Sequence, residues 1–232
     1  MAEISYYFGI KLHEIRKVCV ICPVSDHMLF SCLGKSKQYS GLFARIINYD
    51  KATIISTKNN FLVGDIILQL KNTPCENVIL FGSCGGVGDI KISDKIIVKK
   101  VFNFESFSEM LEMKRSPDTY YPSTMLFEEF LSKSKDNDIL QVKCATTSSI
   151  LLEKAYNDWF DKNKINAVDM ECSLVFSAAS SINRKAIALL YVTDHITSAG
   201  LFDNQMEDAQ KEKLLRSRQS LSKSICDFIN NV

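Results

Sequence analysis

Three short stretches carry side chains whose types and spacing can do chemistry. In residues 78–88, VILFGSCGGVG, a buried-looking apolar run empties into Ser83 among glycines, with Gly82 just before it. A strand followed by such a turn would face backbone N–H groups and a hydroxyl toward a ligand of modest charge, although a tight turn without a ligand fits the same residues. In residues 167–172, AVDMEC, a short apolar approach delivers Asp169, Met170 and Glu171 to the start of a small-residue helix. The helix dipole favours acids there by roughly 0.3–1 kcal/mol, so simple helix stabilisation is the plainer reading. In residues 189–195, LLYVTDH, Asp194 stands at the end of what should be a central strand, the place where open α/β sheets bind ligands.

A dinucleotide or P-loop reading of the glycines fails on context. Those loops run into a helix whose N-terminus holds the phosphates, whereas the residues after Gly88, DIKISDKIIV, alternate like a strand.

The elements that must position these side chains follow from apolar spacing. Short β-branched runs at 18–22, 52–57, 78–81, 95–102, 139–146 and 186–193 predict strands. Helical spacing marks 62–72, 123–135, 149–163, 171–183 and a long stretch from about 206 to 229. That alternation predicts an α/β sandwich around one mostly buried sheet. With 232 residues, 46% hydrophobic, one domain over 1–232 can bury a sufficient core. Residues 103–121 and 197–208 are the expected surface excursions, and both could form lids.

Composition narrows the partners. Lys plus Arg number 28 against 27 Asp plus Glu, and a net charge of +1 gives no field to gather nucleic acid or an acidic membrane. A small neutral partner fits better. No apolar stretch approaches the roughly 20 residues of a membrane span, and the first residues lack the order of a secretory signal, which predicts a cytoplasmic protein. The eight cysteines then read as reduced packing residues rather than a disulfide frame. Cys19 and Cys22 sit three apart in a predicted strand and so point to opposite faces. With the histidines scattered at 13, 27 and 195 and no second cysteine pair at zinc spacing, no metal site is expected.

Taken together and in this order, the three stretches resemble the nucleoside phosphorylase and nucleosidase family, whose members cut the bond between a ribose and a purine or pyrimidine base. GSCGGV resembles the family's phosphate-side glycine loop, VDMEC its V-E-M-E-A ribose motif, and VTDHI the S-D-H motif of bacterial purine nucleoside phosphorylases. HEIRKVCVICPVSD at 13–26 is similar to the first strand and the loop after it. The resemblance implies a single-domain three-layer α/β sandwich with a central mixed twisted sheet flanked by helices, no cofactor beyond phosphate as a possible co-substrate, and a homo-oligomer.

By the same resemblance, Glu171 would accept hydrogen bonds from the ribose hydroxyls, with Met170 packed under the sugar. Asp194 would supply or share the proton that purine N7 takes as the base departs, which requires a carboxyl whose pKa is raised. Arg218, on the last helix, would assist that acid, unless it belongs to a solvated basic face. Ile150 and Leu151 match the place where the family packs an apolar side chain against the base, and otherwise read as helix core.

The pattern departs from the phosphorylases at the anion. Leu80 and Phe81 stand where the family has an arginine before the glycine loop, the segment 23–28 lacks another, and Arg45 is out of register for a third. Gly82, Ser83 and the loop amides remain for phosphate, whose desolvation without cations is costly. The hydrolytic relatives place a glutamate after the first strand to activate water, where this chain has Asp26 and His27. The expected activity is purine-nucleoside cleavage with phosphate narrowly favoured as acceptor. The alternatives are hydrolysis of methylthioadenosine or adenosylhomocysteine, and a catalytically weak purine-binding protein.

Overall fold

In the computed structural model, the described residues are 5–23, 27–57, 59–114, 116–197 and 206–232. The apolar runs form strands where expected: β1 (Val18–Cys22), β4 (Ala52–Thr57), β5 (Asn77–Gly86), β6 (Lys95–Phe104), β8 (Ile139–Thr147) and β10 (Lys185–His195). Four further strands are β2 (Ser36–Ser40), β3 (Ala44–Tyr49), β7 (Thr119–Tyr120) and β9 (Ala167–Asp169). The helices are α1 (Val63–Gln69), α2 (Phe107–Leu111), α3 (Thr124–Lys133), α4 (Ile150–Glu153), α5 (Asn157–Asn163), α6 (Cys172–Ser181) and α7 (Asp208–Asn230).

One mixed sheet joins all ten strands. From β5 it runs outward through β1, β4, β3 and β2. On the other side β5 pairs with β9, β9 with β8, β8 with β6, and β6 with β10, which returns to pair with β5. The sheet therefore curls until five strands close a ring, while the remaining strands stay open. Helices cover both faces, as the sandwich expectation required. On one face α1 and α6 pack Ile66, Ile67, Val175 and Phe176 against Cys19, Ile21, Val78 and Leu80. On the other, α3 and α7 pack Phe127, Phe130, Leu221 and Ile225 against Val18, Val20, Ile79 and Phe81. Both faces of β1 and β5 are thus covered, which is why these strands read as continuous apolar runs. A third cluster, Phe102, Phe104, Tyr156, Phe160 and Val168, packs α4–α5 against the ring.

Four expectations are corrected. First, the glycines form no turn before a second strand. β5 continues to Gly86, and Gly85 and Gly86 are flanked by β9 and β10 at once, pairing with Val168 and Ala167 on one side and Asp194 and His195 on the other. An added Cβ would lie 2.9 Å from Val168 Cγ2 at Gly85 and 3.0 Å from Ile90 O at Gly86, so the close approach of strands requires glycine. Second, residues 89–94 are not a strand. Asp94 Oδ2 accepts the Lys91 N–H at 2.8 Å and Ser93 takes φ +77°, which turns the chain before β6.

Third, the predicted helix at 149–163 breaks into α4, a 3-10 turn at Lys154–Tyr156, and α5. Fourth, one pair of cysteines is joined. A 3-10 turn at His27–Leu33 packs on α7 and brings Cys32 to a Cα separation of 6.5 Å from Cys226, with which it forms a disulfide across 194 residues of sequence. The other six cysteines form no disulfide and are buried, and Cys19 and Cys22 do face opposite sides of β1. Of the two expected excursions, 103–121 contains α2 and β7, while 198–205 lies outside the described residues.

Candidate active site

The C-terminal ends of β5, β9 and β10 open into a cleft of about 230 Å³. Ser83, Cys84 and Gly85 line it from β5, and Thr193 and Asp194 from β10. β10 carries a bulge here: its pairing with β5 jumps from Val192–Cys84 to Asp194–Gly85, leaving Thr193 as the extra residue. A bulge bends the strand and re-aims its side chains, so both Thr193 and Asp194 reach the cleft despite being consecutive. Thr193 Oγ1 donates to Asp194 Oδ1 at 2.7 Å. Burial holds the Asp194 carboxyl above the usual aspartate range, against the opposing pull of that hydrogen bond and of His195. His195 itself ties the turn: its Nε2 lies 3.0 Å from Gly88 O, which can only accept, and its Nδ1 lies within reach of Thr197 N–H and Oγ1.

Across the cleft, β9 hands the chain to α6. Asp169 Oδ2 accepts the N–H groups of Cys172 at 2.7 Å and Glu171 at 3.2 Å, while Oδ1 accepts from Thr146 Oγ1 at 2.7 Å. Thr146 Oγ1 accepts in turn the Ser173 N–H at 3.0 Å. Asp169 is thereby committed to holding the N–H groups at the start of α6, which fits the plainer sequence reading of helix stabilisation. These bonds fix Met170 and Glu171, both of which line the cleft. Met170 also lines a neighbouring cavity of about 320 Å³ shared with Glu105, Phe61 and Leu174, so it forms the wall between the two. Burial raises the Glu105 carboxyl, although Ser173 Oγ donates to it at 2.6 Å.

The remaining wall is α4, which contributes Ile150 and Glu153. Glu153 is 6% exposed and accepts from Thr147 Oγ1 at 2.7 Å. Burial, reinforced by the charges of Asp194 and Asp169 and opposed by Thr147, pushes its carboxyl up to about 7. Sequence reading missed it. An acid three residues after Ile150 in a helix-spaced segment carries no local sign that it turns inward. Thr193 was missed because a bulge leaves no mark on the apolar pattern.

The structure thus brings Ser83, Ile150, Met170, Glu171 and Asp194 to one cleft. Gly82 lies just behind Ser83, facing Leu190 from within the sheet. Leu151 points outward and is 89% exposed. Arg218 is on α7, with its guanidinium 5.6 Å from the Tyr191 ring, on the sheet face opposite α6 and outside the cleft lining. Arg45 is exposed on β3, and among the described residues no Lys or Arg lines the cleft. Asp26 and the side chain of His27 lie outside the described residues. One cluster with metal-ligand chemistry was not foreseen: Cys144, Asp169 and Cys172 hold their ligand atoms within 4.8 Å of one another beneath the cleft. Burial pushes both thiols up, Cys144 to about 12, and Cys144 Sγ donates to Asp169 Oδ1 at 3.5 Å, so the cluster is a network of neutral thiols around Asp169.

The mixed α/β fold is shared with solved structures of a uridine phosphorylase and a nucleosidase. Uridine phosphorylase from Vibrio fischeri ES114 superposes with a TM-score of 0.77 over 96% of each chain at 14% identity. The Campylobacter jejuni 5′-methylthioadenosine/S-adenosyl homocysteine nucleosidase gives 0.71 over 94% of this chain and 100% of that one at 11% identity. In sequence, residues 66–230 match the Phosphorylase superfamily, and the chain belongs to that family. Two DeoD-type purine nucleoside phosphorylases are similar: that of Latilactobacillus sakei subsp. sakei (strain 23K) at 23% identity over 127 residues, 52% of this chain and 53% of the relative, and that of Aliivibrio fischeri (strain ATCC 700601 / ES114) at 29% over 125 residues, 52% of each. The chain spans about half the length of these curated relatives.

Proposed function

We propose that the protein cleaves the N-glycosidic bond of a purine nucleoside and releases the free base. The observation that carries this reading is Asp194: a carboxyl raised by burial, aimed into the cleft by the β10 bulge, opposite the Met170–Glu171 corner. A protonated Asp194 gives its proton to N7 as the base leaves. Glu171 accepts from the ribose hydroxyls, and bonds that tighten as the sugar flattens toward an oxocarbenium ion lower the barrier selectively. The surrounding carboxylates also favour a sugar that is becoming positive.

The three motifs by themselves favour phosphate as acceptor, but the geometry supports water better. Glu153, Asp169, Glu171 and Asp194 all line the cleft that Ser83 faces, and the glycines of a phosphate loop are instead paired on both sides within the sheet. A phosphate dianion would meet the like charge of Glu171, and of Glu153 whenever it is ionised, in a poorly hydrated space. Water is activated in this reading by Asp26 or His27, from the segment after β1. A homo-oligomeric, cytoplasmic protein belongs to the same proposal. No helix among the described residues is long and apolar enough to cross a membrane. Because disulfides are uncommon in a reducing cytoplasm, the thiol state of Cys32 and Cys226 in freshly lysed cells checks that part.

The deciding experiment follows base release from inosine, adenosine and methylthioadenosine with and without phosphate, separating ribose from ribose 1-phosphate. Phosphate-independent release of free ribose, or of free methylthioribose from methylthioadenosine, is expected. Strict phosphate dependence would replace water by phosphate as acceptor, and base binding without turnover would leave a purine-binding protein.

A further inference from the structure

We propose that Glu153 reads the base: its carboxylate, held in place by Thr147, accepts a hydrogen bond from an amino group on C6 of the purine and so favours 6-amino over 6-oxo nucleosides. This rests on the proposed purine-nucleoside cleavage and names the substrate class of the same cleft.

The first argument is the cost of the residue where it stands. A carboxyl 6% exposed needs partners for its lone pairs, and among the described residues its one hydrogen bond comes from Thr147, to Oε1. Oε2 has none, yet Glu153 borders the cleft. A group buried, half satisfied and turned toward a cavity is placed to be completed by what the cavity holds. A structural residue at this position of α4 would be better apolar, like the Tyr156 and Phe160 that follow it into the core.

The second argument is direction. With Asp194 at N7, the next substituent around the purine ring is the one on C6. Glu153 is close enough to Asp194 for that charge to raise its proton affinity, and it lies on the same short helix as Ile150, the apolar residue lining this wall. The groups facing Glu153 are Asp194 from β10, Asp169 from β9, and the Thr147 hydroxyl and the more distant Cys144 thiol from β8. None supplies a donor to Oε2, so an ionised Glu153 offers only acceptor lone pairs to the base edge. An exocyclic amino group fills that role. A carbonyl oxygen at C6 would instead face a carboxylate oxygen with no proton between them, a built-in rejection rather than a weaker attraction.

The carboxyl titrates near neutrality, which gives the selectivity a pH signature. Below about 7 the protonated acid can donate to a 6-oxo group and the discrimination narrows. Above it the carboxylate accepts only, and the preference for the 6-amino base widens. Because both nucleosides need the same proton from Asp194, the ratio of their rates cancels that residue's own titration.

The test measures kcat/KM for adenosine and inosine at pH 6 and pH 8 for the wild type, Glu153→Gln and Thr147→Val. The wild type should favour adenosine, with a ratio that grows from pH 6 to pH 8. In Glu153→Gln, whose amide donates as well as accepts, the ratio should fall by about tenfold or more and lose its pH dependence. Thr147→Val removes a donor to the carboxylate and should move the pH at which the ratio changes upward. A wild-type ratio at or below one, or an unchanged ratio in Glu153→Gln, overturns the proposal. If the wild type cleaves neither nucleoside, the proposed activity fails by itself and equilibrium binding of free adenine and free hypoxanthine decides on Glu153. A preference for adenine that Glu153→Gln abolishes sustains the base-reading role. No preference, no binding of either base, or a preference the substitution leaves intact overturns it.

Discussion

In the proposed reaction Asp194 and Glu171 do different work although both are carboxylates in one cleft. Asp194 is raised by burial and takes a hydrogen bond from Thr193, so it is suited to hold a proton and release it, whereas Glu171 is the N-cap residue of α6 and is suited to accept from hydroxyls. Asp194→Asn keeps the shape and the Thr193 contact but removes the proton, and base release should fall by about 10²–10⁴-fold with the melting temperature little changed. The sign of the pH dependence follows: the working form is protonated, so kcat should decline as pH rises through the raised Asp194 value. A pH–rate profile of the wild type should show that limb, and Asp194→Asn should lack it.

At the scale of elements, the acid is aimed by a contact between strands far apart in sequence. Gly85 lies between Val168 of β9 and Asp194 of β10, and an added Cβ would sit 2.9 Å from Val168 Cγ2 and 3.4 Å from Asp194 Oδ2. Gly85→Ala should therefore push β9 from β5 and displace the acid. A loss of about 1–3 kcal/mol in stability is expected from chemical denaturation, together with a fall in kcat larger than any change in the folded fraction explains. The turn at His27–Leu33 depends on a different long-range contact, its disulfide to α7. Cys32→Ser should lower the melting temperature under non-reducing conditions and bring it to that of the wild type held in reductant. A difference that persists in reductant would show that Cys32 matters by packing instead.

For the whole molecule, gathering acids around one cleft sets how stability responds to pH. Glu105, Glu153, Asp169 and Asp194 are all raised by burial, so the folded state binds protons more tightly than the unfolded chain at each. Their contribution to stability is present at low pH and lost as pH rises through the folded values. For Glu153 the window runs from 4.5 to about 7, on the order of 3 kcal/mol before relaxation of the site is allowed for. Asp136 works in the opposite sense: despite its burial, Lys95 at 2.6 Å holds it below the usual range, and that stability is lost as pH falls. The melting temperature should thus rise from pH 8 to about pH 6, and Glu153→Gln should flatten the rise by stabilising the protein mainly at the alkaline end. Equal gains at both pH values would mean the carboxyl is not penalised by burial.

The sequence by itself determined which segments become strands and helices, because apolar spacing over five to fifteen residues reflects the side of an element that will be buried. It also determined the order of three motifs, and with it the family, and the identity of Ser83, Met170, Glu171 and Asp194 as cleft residues. β2 stayed hidden because its residues, SKQYS, are largely exposed and carry no alternating apolar signal. What only the tertiary structure decided depends on residues more than a hundred positions apart. The closing of β10 onto β5 places Gly85 and Gly86 between two strands, puts the bulge at Thr193, and sets the Tyr191 ring beside Arg218, outside the residues that line the cleft. No local pattern encodes any of these, since each is fixed by which backbones come within van der Waals contact once the sheet has curled.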